Sequence, residues 1–351
     1  MAPPKAKGKS GKKLPTSTKP RKEPKTRDAE EPGVTLPLEL QQLVLNVFKN
    51  TFSERLEQDI KPLLQEVKGH LYRRDFQAAF GKPEYLEAYA ARWSPSRALG
   101  YLQIFSDLKK KLQPFSHTSQ ESEESEWKVV CLGGGAGAEI AALGAYFNVL
   151  EEDEHGQNMH VTAIDIADWG SVANMLRESI VNKPPLSKYA SAAAQAANVA
   201  LTDPACFAVD FHQHDVLNTP FSTLASLVGN AHIITLMFTL NELYATSLSM
   251  TQKLLLSLTT SLKPGACLLV VDSPGSYSTV TLNGAEKKYP MQWLLDHTLL
   301  SSGKTKDENI EAQWEKIEEA ESRWFRLDES LKYPVELENM RYQIHLYRKL
   351  G

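Results

Sequence analysis

Residues 129–145 read Val-Val-Cys-Leu-Gly-Gly-Gly-Ala-Gly-Ala-Glu-Ile-Ala-Ala-Leu-Gly-Ala, an apolar strand running through clustered glycines into an alanine-rich helix. The helix opens near Ala138 with N–H groups that no carbonyl of its own can take, a natural seat for a polar or anionic group. Glycine at 133, 135 and 137 removes the Cβ atoms that would hold a ligand away from the backbone. A strand, a glycine turn and a helix in this order predict the first unit of a doubly wound α/β sheet, with a nucleotide-type ligand at the turn.

Two cofactors fit that turn. Gly133, Gly135 and Ala138 satisfy the dinucleotide pattern G-x-G-x-x-G/A, whose helix N-terminus receives a pyrophosphate. The run also resembles the first motif of class I S-adenosylmethionine (SAM) methyltransferases, which places Gly133, Gly134, Gly135, Gly137 and Glu139 at the cofactor. The elements downstream decide between them. Strand candidates at residues 160–164, 206–212, 232–238 and 266–271 alternate with helical or loop sequence, as in a parallel sheet. Residues 322–327 and 340–349 then form two strand-like runs about a dozen residues apart, which predict an antiparallel pair at the sheet's end. Nicotinamide-binding sheets do not normally close in this way.

With 351 residues, 42% of them apolar and 9% aromatic, the chain can bury one large core with a smaller helical layer. Apolar residues at helical spacing between Leu36 and Leu112 predict that layer over 35–115, broken at Ser94-Pro95-Ser96. Residues 116–126 read as a linker and 127–351 as the cofactor-binding domain. Residues 1–34 hold ten Lys or Arg against four acids, with five prolines before Pro32 and almost no large apolar residue. They predict a disordered basic tail, read as a phosphate-seeking arm, a nuclear address or a solubilising segment. An acidic surface loop is expected at 151–157, and a helix or mobile loop in the Ala- and Ser-rich stretch 189–200. Neither a signal segment nor a membrane span is expected, so the reading is an intracellular protein. Cys131, Cys206 and Cys267 lack metal or disulfide spacing and read as reduced fillers.

The strand ends carry the remaining candidates. Asp165 closes the second strand, where a carboxylate accepts hydrogen bonds from both hydroxyls of a cofactor ribose. Asp168 and Trp169 follow, either as an adenine contact with a stacking ring or as a cap before a buried Trp. Asp215, after the third strand, is placed to accept from an adenine amino group. His212 and His214 flank Gln213 there, without the third ligand a metal needs, and no metal is expected. The fourth strand delivers Thr239, Asn241, Glu242 and Tyr244 to the edge where open α/β sheets bind ligands, although Asn241 and Glu242 also suit a helix start. Thr239 is assigned to the cofactor, and Tyr244 to the acceptor. Asp272, Ser276 and Tyr277, beyond the fifth strand, face the acceptor from the other side or simply form a turn.

The segments Gly-Gly-Gly-Ala-Gly-Ala-Glu-Ile (133–140), Phe-Thr-Leu-Asn-Glu-Leu-Tyr (238–244), Val-Val-Asp-Ser-Pro-Gly-Ser-Tyr (270–277) and Tyr-Ala-Ala-Arg-Trp-Ser-Pro-Ser-Arg-Ala-Leu (89–99) resemble the fungal large-subunit rRNA uridine-N3 methyltransferase family over roughly residues 36–351. The resemblance implies a Rossmann-like, seven-stranded class I sheet with an antiparallel C-terminal strand pair, preceded by the helical layer. It also implies SAM as cofactor, ribosomal RNA or a preribosomal particle as partner, and a place in the nucleus, nucleolus or cytoplasm. On this reading Glu242 or a water takes the N3 proton and Asn241 fixes the base edge, while Trp169, Tyr244 or Tyr277 stacks on an extruded base. Arg73, Arg74, Arg92 and Arg97 are either phosphate contacts or solvated surface. Three other readings stand beside it: a protein or small-molecule methyltransferase of the same fold, a SAM-binding assembly factor without catalysis, and a nicotinamide oxidoreductase.

Overall fold

The computed structural model describes residues 34–112, 126–151, 158–186, 188–196, 198–275, 277–282, 285–300 and 312–351. The basic tail, nearly all of the 116–126 linker, the acidic stretch 152–157 and Ser276 lie outside the described residues. Six helices come first: α1 (Leu38–Thr51), α2 (Ser53–Glu57), α3 (Lys61–Tyr72), α4 (Phe76–Ala79), α5 (Pro83–Asp107) and α6 (Lys109–Leu112). The alternating part follows with β1 (Glu126–Leu132), α7 (Ala138–Glu151), β2 (Asn158–Asp165), α8 (Gly170–Val181), α9 (Ala192–Ala196), β3 (Phe207–Gln213), α10 (Phe221–Val228) and β4 (Ile233–Met237). It continues through α11 (Leu240–Thr246), α12 (Leu248–Ser261), β5 (Cys267–Asp272), a separate hairpin of β6 (Tyr277–Leu282) and β7 (Ala285–Pro290), α13 (Met291–Leu300), β8 (Trp314–Phe325) and β9 (Met340–Lys349).

Seven strands form one sheet in the order β3-β2-β1-β4-β5-β9-β8, parallel except that β9 runs antiparallel to both β5 and β8. The chain reverses direction across the sheet between β1 and β4, and that switch point puts the ends of β1, β2 and β4 at one edge. Period-two alternation in β1 sends Val129 and Cys131 into the core under the N-terminal helices, α7 and α8. Val130 and Leu132 enter the opposite core under α10, α12 and α13. Residues 34–351 form a single compact unit.

The helical layer departs from expectation at Ser94-Pro95-Ser96, where α5 continues without a break. A proline inside a helix leaves the carbonyl four residues back without its donor. Here that carbonyl belongs to Ala91, and the Tyr333 hydroxyl donates to it at 2.7 Å. The flanking serines make long-range ties as well. Ser94 Oγ donates to the Ala136 carbonyl in the glycine turn at 2.7 Å, and Ser96 Oγ accepts from the Glu338 amide at 3.0 Å. Through these three residues α5 joins the glycine turn to the segment leading into β9.

Candidate active site

The glycine turn is held from the protein side. Gly133 and Gly137 lie at φ 83° and 81°, a region that other residues enter only under strain. A Cβ at Gly133 would lie 2.3 Å from Thr239 Oγ1, at Gly135 2.2 Å from Trp169 Cδ1, and at Gly137 2.0 Å from Leu176 Cδ1. At Gly134 it would lie 2.9 Å from Glu139 Oε2. These glycines therefore let α8, the residues leading into α8 and α11, and the start of α7 close on the turn. Thr239, Trp169 and Glu139 are accordingly supports of the turn. Of the two readings of Trp169, its position fits the buried one: the residue is 2% exposed, and its ring lies 5.2 Å from Phe80 and 5.8 Å from Tyr89, centroid to centroid.

Glu139 is 3% exposed, its carboxyl accepting from the Thr235 hydroxyl, and burial lifts its pKa to about 7. Asp165 sits at the end of β2, as expected. Its Oδ2 accepts from the Gly135 amide at 3.1 Å and its Oδ1 from the Ala167 amide at 3.2 Å. Burial raises its pKa, against the pull of those amides. Each oxygen keeps a second lone pair, so the carboxylate can hold the turn and still accept from a ribose diol. Asp168 accepts from the Gly170 amide at 3.2 Å, and Asp215 from the Leu217 and Asn218 amides at 2.9 and 3.3 Å. Both are occupied in their own turns. Among the described residues no group of three His, Cys, Asp or Glu could hold a metal, and no helix is long and apolar enough to cross a membrane.

Across the switch point, Asp272 is 2% exposed and accepts from the Asn241 amide at 3.0 Å and the Ser273 amide at 2.7 Å. Burial again raises its pKa. Asp272 thus fixes the start of α11 and, with it, the half-buried Asn241. Glu242 pairs with Arg74, a residue at φ 57° in the turn after α3, so its carboxylate ties the helical layer to α11. Tyr244 is 3% exposed within the core, which replaces the stacking role read for it. Tyr277, on the hairpin, is 58% exposed.

The structure adds a residue that the sequence reading took only as the end of a strand. Phe238 lies at φ 58°, where a bulky side chain is strained, and its amide donates to the Val271 carbonyl at 2.7 Å. The turn places its ring 4.1 Å from the Arg97 guanidinium carbon. Next to this pair lies a cavity of about 170 Å3, lined by Arg92, Trp93, Ser96, Arg97, Phe238 and the 338–341 segment. Thr239 follows Phe238 directly and touches Gly133, so cavity and glycine turn are neighbours. The only sequence signals for it were the arginines of 89–99.

Strand order, glycine turn and the Asp165 carboxylate together fit a SAM cradle on a methyltransferase sheet. Residues 48–348 match a family model described as SAM-dependent methyltransferase, and the chain belongs to that family. The 25S rRNA (uridine(2843)-N(3))-methyltransferase of Saccharomyces cerevisiae is 33% identical over 331 residues, covering 88% of this chain and 85% of the yeast protein. Among solved structures, the antibiotic-resistance methyltransferase Kmr is 15% identical, covering 70% of this chain and 92% of its own, with a TM-score of 0.34. Human N-acetylserotonin methyltransferase in complex with SAM is 14% identical, covering 86% and 70%, with a TM-score of 0.30.

Proposed function

We propose that this chain methylates N3 of a uridine in large-subunit ribosomal RNA, as free RNA or within a preribosomal particle, in the nucleus, nucleolus or cytoplasm. The similarity to the yeast 25S rRNA uridine-N3 methyltransferase carries this reading, because it spans 88% of the chain and 85% of the yeast protein. When bound, SAM supplies a methyl group on a positively charged sulfur. On this reading the glycine turn holds the cofactor and Asp165 accepts from its ribose hydroxyls.

N3 of uridine carries a proton and no free lone pair, so the proton must leave before or during transfer. Asn241, whose backbone amide is fixed by Asp272, is assigned the role of hydrogen-bonding the imide edge through its side-chain amide. Of the two proton acceptors read from sequence, Glu242 and a water, Glu242 is paired with Arg74, so the proton is assigned to solvent water. N3 is also a pairing position, so the base must be single-stranded or extruded. The test is methyl transfer from isotopically labelled SAM to purified ribosomal RNA and to preribosomal particles, with digestion to nucleosides. Labelled 3-methyluridine is the expected product; SAM binding with no labelled RNA in either form overturns the reading.

A further inference from the structure

The cavity between α5, Phe238 and the 338–341 segment is lined by Arg92, Arg97 and Arg341 with one carboxylate, Glu338. Arg92 is 7% exposed; its Nη2 pairs with Glu338, and its Nη1 is buried with no hydrogen-bond partner. Buried donors are nearly always satisfied, and an unpaired one on a buried cation is costly. Arg97 has no ion pair among the described residues: its guanidinium lies on the Phe238 ring, with the Tyr101 hydroxyl at a marginal 3.5 Å. Burial works against its charge, yet Tyr101, Tyr89 and Asp272 keep its pKa above the ordinary value. The left-handed backbone at Phe238, held by its amide's hydrogen bond to the Val271 carbonyl, sets the ring under Arg97.

The lining carries three arginines against one carboxylate, a net positive charge near the seat proposed for a cofactor that is itself a cation. An amine acceptor would be repelled from it, whereas an acceptor that becomes negative as it reacts would be stabilised. The cavity's size, about 170 Å3, matches a single ring, since a cavity of roughly 150 Å3 takes a benzene.

We propose that this cavity receives the six-membered imide ring of the acceptor, and that Arg92 and Arg97 are catalytic residues that hold the negative charge developing on its carbonyl oxygens. The inference rests on the uridine reading above. The N3 proton passes to water, leaving a monoanion shared between N3 and the two carbonyl oxygens. The N3 lone pair then forms the new N–CH3 bond while the sulfur–methyl bond breaks with its electrons left on sulfur. Anion and sulfonium thereby become two neutral products. Arg92 and Arg97 stay protonated throughout.

The experiment is the pH dependence of kcat and KM for Arg97→Gln, Arg92→Gln and Arg92→Lys on the RNA that the wild-type enzyme methylates. Removing one preorganised donor of this kind costs about 10²–10³ in kcat. The expected result is a loss of that order near pH 7 with KM changed little, shrinking as the pH is raised until uridine ionises unaided. RNA carrying 5-fluorouridine, whose N3 is more acidic, should recover part of the loss. If instead KM rises with kcat intact at every pH, the arginines contact phosphate and the inference falls. Unchanged kinetics overturn it equally. Should Arg92→Gln fail to fold, Arg97→Gln and the charge-preserving Arg92→Lys decide the matter. Failure of the uridine reading itself would show separately, as a wild-type enzyme that places no methyl group on RNA.

Discussion

Glu139, in the first turn of α7 behind the glycine turn, has a buried carboxyl whose titration gives it a signature. Its pKa rises from the ordinary 4.5 to about 7 in the folded chain, chiefly through burial. Between those values the folded state keeps a proton that the unfolded state has lost, so stability falls as pH rises through that window and is level above it. Glu139→Gln should remove this contribution, so denaturant unfolding at pH 5 and pH 7.5 should differ less in the variant than in wild type. Gly135→Ala tests the packing behind the turn. Its Cβ would lie 2.2 Å from Trp169 Cδ1 and 2.9 Å from Asp165 Cβ, and overpacking of this kind costs about 1–3 kcal/mol. Because the displaced residues include Asp165, calorimetry should show SAM affinity reduced by at least about tenfold, the equivalent of 1.4 kcal/mol. Glu242 separates two readings of the chemistry. A general base contributes about 10²–10⁴ in rate, whereas loss of a half-exposed ion pair with Arg74 costs about 1 kcal/mol or less in stability. Glu242→Gln should keep kcat within about tenfold of wild type, and a fall beyond 10² would restore its carboxylate as the base.

At the scale of elements, α5 makes the case for long-range rescue of a local fault. Pro95 reads as a helix break because a mid-helix proline costs about 3 kcal/mol on its own. The cost is partly offset by Tyr333, which lies 242 residues from Ala91 in the chain and supplies the missing donor. No local window of sequence contains that partner, which is why the break at Ser94-Pro95-Ser96 was expected and did not occur. The same limit explains the sheet's far edge. Strands β4 and β5 are buried throughout and were legible within one residue of their ends, and the alternately buried β2 within two. β8 begins at Trp314 rather than at 322, because its first half carries Glu315, Lys316, Glu318 and Glu319, charges that suit an edge strand and hide its alternation. The site divided in a similar way. Asp165 and the glycines follow from local pattern, while the Arg97–Phe238 pair depends on how α5 crosses the end of β4. A double-mutant cycle tests the account of α5: Tyr333→Phe should cost about 1–2 kcal/mol by leaving the Ala91 carbonyl without a donor, and less in a Pro95→Ala background, where residue 95 regains its N–H.

Over the whole molecule, the net charge of −4 combines a tail near +6 with a remainder near −10. An acidic body repels RNA at long range except where its arginines cluster, so the reaction as proposed separates attraction from chemistry. On the phosphate-seeking reading of the tail, the tail draws in a polyanion, and the cavity between α5 and Phe238 selects and activates one base. Phosphate contacts release counterions, and log K falls against log salt by about 0.7 for each contact on a single strand. Deleting residues 1–33 should therefore weaken RNA binding at low salt and flatten its salt dependence, measured by fluorescence anisotropy from about 50 to 200 mM salt, a range over which several contacts change affinity by orders of magnitude. SAM affinity should be unaffected and kcat at saturating RNA nearly so, because the residues that build the site all belong to the compact unit 34–351. An unchanged salt slope would move the phosphate contacts onto the folded body. A lost kcat with an intact slope would instead give the tail a part in placing the base, and the division between attraction and chemistry would then fail.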